Sequence, residues 1–161
     1  MNVRGVIFDL DGLLADCRHR LHFIEGENQD WDAFYLACGD DAVIQPSVDI
    51  YSALMDMDFH IAISTGRSEI CRDHTMLWFE KNFIPNPHHV LMRGTQDYRK
   101  DYVLKEQHLK YLRSRGLEIV MAFDDRSGCV DMFHKNGIPC YHLDSEKIAD
   151  TVDAAESKQG G

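Results

Sequence analysis

No run in this 161-residue sequence approaches the roughly 20 apolar residues that a membrane-crossing helix needs, and Asp9 and Asp11 arrive before a signal-like apolar region can develop. A spanning or exported protein is therefore not expected. Cysteines are few: Cys17, Cys38, Cys71, Cys129 and Cys140 are five in number, and none forms a CxxC pair. An odd set without such pairs suits reduced thiols better than a disulfide framework, and it leaves structural zinc without its usual ligands. The expected setting is a reducing cytoplasm. Positive charge is also short, with Lys and Arg totalling 17 against 27 Asp and Glu for a net charge of -10. An anionic substrate must then be held by a local group of cations rather than by the overall field. There is no internal repeat and no Pro/Gly-rich linker, and the length suits one core but not two ordinary domains. The reading is one domain over 1–150, with a polar stretch over 151–161 that looks like a flexible, frayed tail.

What is present is a regular alternation. Val3 to Phe8 is a short apolar, β-branched run ending in a carboxylate-rich loop, and similar runs recur at 60–64, 89–92, 119–123 and, more weakly, 138–143. Between them lie segments with apolar residues at three- and four-residue spacing, over 47–57, 69–82, 100–115 and 127–136. Strand alternating with helix implies right-handed crossovers. The fold class read from this is α/β: a three-layer, Rossmann-like parallel sheet of about five strands with helices on both faces and a minimal cap. In such sheets ligands bind beyond the carboxyl ends of the strands, so the residues just after each run are the ones to examine. Residues 13–45 interrupt the alternation, with a short helix expected near Trp31 to Ala37. They read either as a small flap over the site or as a surface excursion covering the sheet edge.

Four strand ends carry chemistry. Asp9 and Asp11 follow the first run, which allows one carboxylate to attack phosphorus while the other protonates the leaving oxygen. Alone, Asp-x-Asp-Gly is equally a calcium loop or a turn. Ser64, Thr65, Gly66 and Arg67 follow the second run and offer a hydroxyl, backbone amides and a guanidinium, all suited to phosphate. The plainer alternative is that Ser64 or Thr65 caps the next helix. Lys105 lies one turn into the helix after the third strand, where an ammonium could neutralise a nucleophile and an incoming phosphate. Asp124 and Asp125 follow the fourth run, and two adjacent carboxylates there repel each other unless a cation lies between them. Hard oxygen donors, few in number, point to Mg²⁺.

In order, Phe8-Asp9-Leu10-Asp11-Gly12, Ser64-Thr65-Gly66-Arg67, Lys105 and Phe123-Asp124-Asp125 resemble the four motifs of the haloacid dehalogenase superfamily. Thr65-Gly66-Arg67, the stretch from Arg93 to Lys105 and Asp124-Asp125-Arg126 are similar to the 3′-phosphatase domain of bacteriophage polynucleotide kinases. The resemblance implies a Mg²⁺-dependent phosphoric monoester hydrolase working through an aspartyl-phosphate. Asp9 would be the nucleophile and Asp11 the general acid and base. Thr65 and Lys105 would hold the transferring phosphate. Asp9, the Asp11 backbone carbonyl and Asp124 would hold the metal, with Asp125 either a direct ligand or acting through water. Gly66, Arg67, Arg93 and Arg99 become the candidates for binding the rest of a nucleotide. No Gly-x-x-x-x-Gly-Lys-Ser/Thr loop occurs, so kinase activity is not expected of this chain, and a separate kinase or ligase partner would complement it. The source implied is a bacterium or a phage-infected cell.

Within 13–45, His19 or Arg20 is expected to face substrate. His19 and His22 could ligate a metal, against the discomfort of Arg18 and Arg20. Trp31, Phe34 and Tyr35 could stack on bases or pack the flap. The expected substrate is the 3′-phosphate of a polynucleotide end, since so small a cap should leave an open site. A mononucleotide phosphatase is the alternative, favoured by the acidic charge, and a non-catalytic binding module is the reading from another class.

Overall fold

In the computed structural model, which describes residues 2–159, five strands form a parallel sheet in the order β5-β4-β1-β6-β7. They are β1 (Val3–Phe8), β4 (His60–Ser68), β5 (His89–Arg93), β6 (Leu117–Asp124) and β7 (Cys140–His142). Side chains alternate between the two faces of each strand. Val6, Phe8, Ile61 and Ile63 therefore share one face, where they pack with Val48 and Tyr51 of helix α2 (Gln45–Asp56) and with Trp78 and Phe79 of α3 (Arg72–Lys81). Ile7, Ala62 and Ala122 share the other face. They meet Leu109 and Leu112 of α4 (Asp101–Ser114) and Met132 and Phe133 of α5 (Ser127–Lys135). The three-layer α/β architecture expected from the alternation is thus the one found.

Two differences from the sequence reading bear on the site. The second strand runs on to Ser68 with a register irregularity after Ser64, and Ser68, not Ser64 or Thr65, caps the turn that follows by accepting from the Ile70 amide. Thr65 and Arg67 are thereby held on an inner strand of the sheet, beside β1. The second difference is the segment read as a frayed tail. Lys147–Gln159 is a helix, α6, whose Ile148 and Ala155 are buried. Spacing of Ile148, Val152 and Ala155 by four and three residues gives it one apolar stripe, which outweighs its polar composition. Only 160–161 of the expected tail lie outside the described residues.

Segment 13–45 forms the two-stranded ribbon of β2 (Ala15–Asp16) and β3 (Ala42–Val43), a 3₁₀ turn at Arg18–Phe23 and the short helix α1 (Trp31–Leu36). Asp30 caps α1 by accepting from the Ala33 amide at 2.9 Å. Leu21, Ile24, Phe34 and Tyr35 share a third apolar cluster with Ile148 and Ala155, so flap and α6 pack together above the strand ends.

Candidate active site

β1 ends at Phe8 and β6 at Asp124, paired in register one residue earlier, so Asp9 and Asp124 leave neighbouring strands side by side. Carboxylate oxygens of Asp9, Asp124 and Asp125 lie within 4.8 Å of one another, and all three residues are buried. Lys105, fully buried on α4, reaches in with Nζ 3.1 Å from Asp9, 2.7 Å from Asp124 and 3.1 Å from Asp101. Burial alone would push the ammonium toward its neutral form, but Asp101, Asp124 and Asp9 outweigh it and hold its pKa high.

Charge at this cluster does not balance. Asp101 is matched by Lys105, Arg126 at 3.1 Å and Arg93 at 3.3 Å, which together overcome its burial and keep its carboxyl below the ordinary range. Among the described residues, Lys105 is the ion-pair partner of both Asp9 and Asp124, and Asp125 has none. Burial pushes Asp9 well above its ordinary value and raises Asp124, while burial and the neighbouring Asp124 raise Asp125 to about 6. One oxygen of Asp125, Oδ1, is buried without a hydrogen-bond partner, whereas Oδ2 accepts from Ser145 at 2.5 Å. An orphaned carboxylate oxygen beside two more buried carboxylates fits a hard divalent cation.

Asp11 sits in a different environment. Its Oδ1 accepts from Arg67 Nε at 2.9 Å, Arg67 Nη2 at 2.6 Å and Arg20 Nη2 at 2.7 Å. Burial works to raise this carboxyl, but Arg20 and Arg67 outweigh it and hold it below its ordinary value. Both guanidiniums are tied in turn to the buried Asp41, with Arg67 Nη2 at 2.6 Å and Arg20 Nη2 at 2.7 Å. Thr65 Oγ1 accepts from the Arg67 amide at 3.1 Å, which fixes its hydroxyl beside the same cleft. The position of Gly66 is dictated by contact, since a Cβ there would lie 2.6 Å from Asp101 Oδ1.

A family model described as the polynucleotide kinase PNKP phosphatase domain matches residues 3–147. The chain belongs to this family of haloacid dehalogenase-type phosphatase domains. It is 31% identical over 137 residues to a protein of Autographa californica nuclear polyhedrosis virus designated a bifunctional polynucleotide kinase/RNA ligase, covering 84% of this chain and 18% of that one. A structure of a Pnkp1/Rnl/Hen1 complex superposes with a TM-score of 0.75 at 25% identity, covering 87% of this chain and 45% of that chain. The class C acid phosphatase of Bacillus anthracis has the same fold, with a TM-score of 0.62 at 16% identity, over 99% of this chain and 63% of that chain. The chain thus spans less than half of the first two relatives. As a phosphatase domain of this family it is a phosphoric monoester hydrolase.

In this phosphatase domain, Asp9, Asp11, Thr65, Gly66, Arg67 and Asp125 line one cleft, with Lys105 and Asp124 directly behind Asp9. Three expectations for substrate-facing residues are not met as stated. Arg20 is fully buried beneath Asp11 and stacks its guanidinium 4.2 Å over the Phe34 ring. His19 turns to Asp41, with Nε2 2.8 Å from Oδ1, and neither His19 nor Arg20 is among the residues lining the cleft. Arg99 is a surface residue paired with Asp97 and Gln107. Arg93 lies at the rim, donating to the carbonyls of Gly66 at 3.1 Å and Arg99 at 2.6 Å. His22 Nδ1 faces the His19 carbonyl, and among the described residues the metal-type cluster is the one at Asp9. The open site expected from the small cap is also corrected: α6 covers the cleft, through Ile148, Ala149, Val152 and Glu156.

Two carboxylates that pair with the cations of the site escaped the sequence reading. Asp101 carried a signal, since Asp101 and Lys105 stand one helical turn apart. Asp41 carried none, because its partners Arg20 and Arg67 are 21 and 26 residues away.

Proposed function

We propose that this domain removes the 3′-phosphate from polynucleotide ends through a phosphorylated Asp9. The observation that supports this reading is the placement of Asp9 against Lys105 at 3.1 Å, in one cleft with Asp11, Thr65 and Arg67. Asp9 attacks phosphorus while the bond to the leaving ester oxygen breaks, and Asp11 gives that oxygen a proton. Water then attacks the phosphoaspartate, its proton returns to Asp11, and inorganic phosphate leaves with the Asp9 carboxylate restored. Lys105 lowers the repulsion between the Asp9 carboxylate and the incoming phosphate, and Thr65 donates to a phosphate oxygen. Asp11 is an ion pair with Arg67 before substrate arrives. A phosphate that draws the Arg67 guanidinium to itself removes one of the two arginines on Asp11 and eases its uptake of the proton it must donate.

Asp9, Asp124 and Asp125 would hold Mg²⁺, as the orphaned Asp125 oxygen and the excess of carboxylates suggest, with the Asp11 backbone carbonyl as a further donor. When bound, the ion supplies positive charge against the developing phosphoryl charge. A kinase or ligase acting on the same ends would complement the activity, in keeping with the names of the relatives.

The net charge of -10 favours a second reading, a mononucleotide phosphatase with the same chemistry. Phosphate release with Mg²⁺ from a 3′-phosphorylated oligonucleotide, a 5′-phosphorylated one and both classes of mononucleotide separates the two, with Asp9→Asn as control. Preference for the 3′-phosphorylated oligonucleotide is expected. Preference for mononucleotides moves the domain to the second reading, and no release from any substrate rejects both.

A further inference from the structure

Nearly all of α6 lies outside the segment 3–147 that matches the family, and this is the helix that closes the cleft. Ile148, Val152 and Glu156 face Asp9, Asp11, Thr65 and Arg67 across a space of only about 40 Å³. Clefts that take small ligands span roughly 300–1,000 Å³. With α6 docked, the space over Asp9 is too small to hold a nucleotide.

The helix is fastened in two ways. Ile148 and Ala155 are buried and Val152 is partly buried in the cluster built on Leu21, Ile24, Phe34 and Tyr35. The second fastening is a carboxylate at the mouth of the site. Glu156 Oε2 accepts from Arg126 Nη2 at 2.6 Å, and Oε1 accepts from Arg126 Nη1 at 3.2 Å and from Arg93 Nη2 at 3.5 Å. Arg126 Nη1 also lies 3.1 Å from Asp101, the partner of Lys105. A planar anion forked onto one guanidinium, with a second beside it, is the geometry that a phosphate makes with arginine. A second carboxylate of α6 shares Arg126, since Asp153 Oδ1 accepts from its Nε at 2.7 Å, and weaker fasteners are Gln29 on the Ala155 carbonyl at 3.2 Å, Lys158 on the Gly26 carbonyl at 3.1 Å and Lys147 at 3.3 Å from Glu25.

We propose that α6 is a displaceable lid that competes with substrate, Glu156 holding on Arg126 and Arg93 the place of a substrate phosphate group. The proposal rests on the phosphatase reading for what displaces the lid. An entering phosphate dianion takes the place of the Glu156 carboxylate between the two arginines and competes with Asp153 for Arg126, and α6 swings off its apolar seat as the cleft fills.

Glu156→Gln keeps the shape of the side chain and removes its charge. Hydrogen exchange of the α6 amides should quicken in this variant without any substrate, and inorganic phosphate should quicken it in the wild-type protein. Turnover of p-nitrophenyl phosphate and of a 3′-phosphorylated oligonucleotide should rise on the order of tenfold in kcat/KM, the size of one charge-assisted hydrogen bond. Exchange that responds to neither the substitution nor phosphate overturns the lid, as does faster exchange with no gain in turnover. If the wild-type protein and the variant release no phosphate from either substrate, the phosphatase reading falls and the exchange measurements alone decide the lid.

Discussion

Two nitrogens of Arg67 converge on a single oxygen of Asp11, Nε at 2.9 Å and Nη2 at 2.6 Å, and the same Nη2 lies 2.6 Å from Asp41. Arg20 bridges the same two carboxylates, so two buried guanidiniums balance two carboxylates from different parts of the chain, and removing either leaves one negative charge unmatched. Arg67→Gln should leave both short of a partner. The expected loss is about 3–5 kcal/mol of stability and at least about 100-fold in kcat/KM, read by thermal unfolding and phosphate release. Arg67→Lys should recover little of either, because an ammonium cannot span both carboxylates with a fork.

Asp9→Asn should separate stability from activity. Burial raises the Asp9 carboxyl well above its ordinary value, so its ionised form is held in the fold at a cost. Replacing it by a neutral amide removes that cost. Thermal midpoint without metal should stay level or rise, while turnover falls by at least about 1,000-fold because the nucleophile is gone. A lowered midpoint would contradict the assignment of strain to the carboxylate cluster.

Mg²⁺ should raise the unfolding temperature and a chelator should reverse the rise, with about 2.7 kcal/mol expected at a concentration 100 times the dissociation constant. Asp125, raised to about 6, is partly protonated near that pH in the metal-free protein. Binding should then expel more protons at pH 6 than at pH 8, the difference coming from Asp125. Calorimetry in two buffers of different ionisation enthalpy measures that release, and Asp125→Asn should diminish it.

His108 provides a pH test on the other side of the sheet centre. Its Nδ1 lies 2.9 Å from Ser64 Oγ, and burial lowers its pKa from 6.5 to about 4. The unfolded chain takes up this proton before the folded one does, so the group's contribution is complete above about pH 6.5 and is lost as pH falls toward 4. The stability difference between wild type and His108→Gln should shrink across that window, by up to roughly 3 kcal/mol. A difference constant with pH would mean that His108 titrates normally.

Gly66→Ala adds a methyl 2.6 Å from Asp101 Oδ1. Asp101 has little room to yield, because Lys105, Arg93 and Arg126 hold it. Either the strand or the carboxylate must shift, and a fall of at least about tenfold in kcat/KM is expected from the displaced Asp101 and Lys105.

The sequence by itself determined the sheet, the helices on its two faces and the position of the acidic and hydroxyl groups at the strand ends. These are local matters, since strand and helix periods and the residue after each run are written in consecutive residues. Membership of the phosphatase family was legible for the same reason, its motifs being short and ordered. Tertiary structure alone decided which charges meet. Asp41 with Arg20 and Arg67, Asp101 with Arg93 and Arg126, and Glu156 with Arg126 join residues 8 to 30 positions apart on different elements, and no periodicity records such pairings. It also decided that Arg20 lies beneath the site instead of facing it, and that α6 docks. A stripe of three apolar residues makes a helix possible, but only the cluster left exposed by the flap gives it a seat.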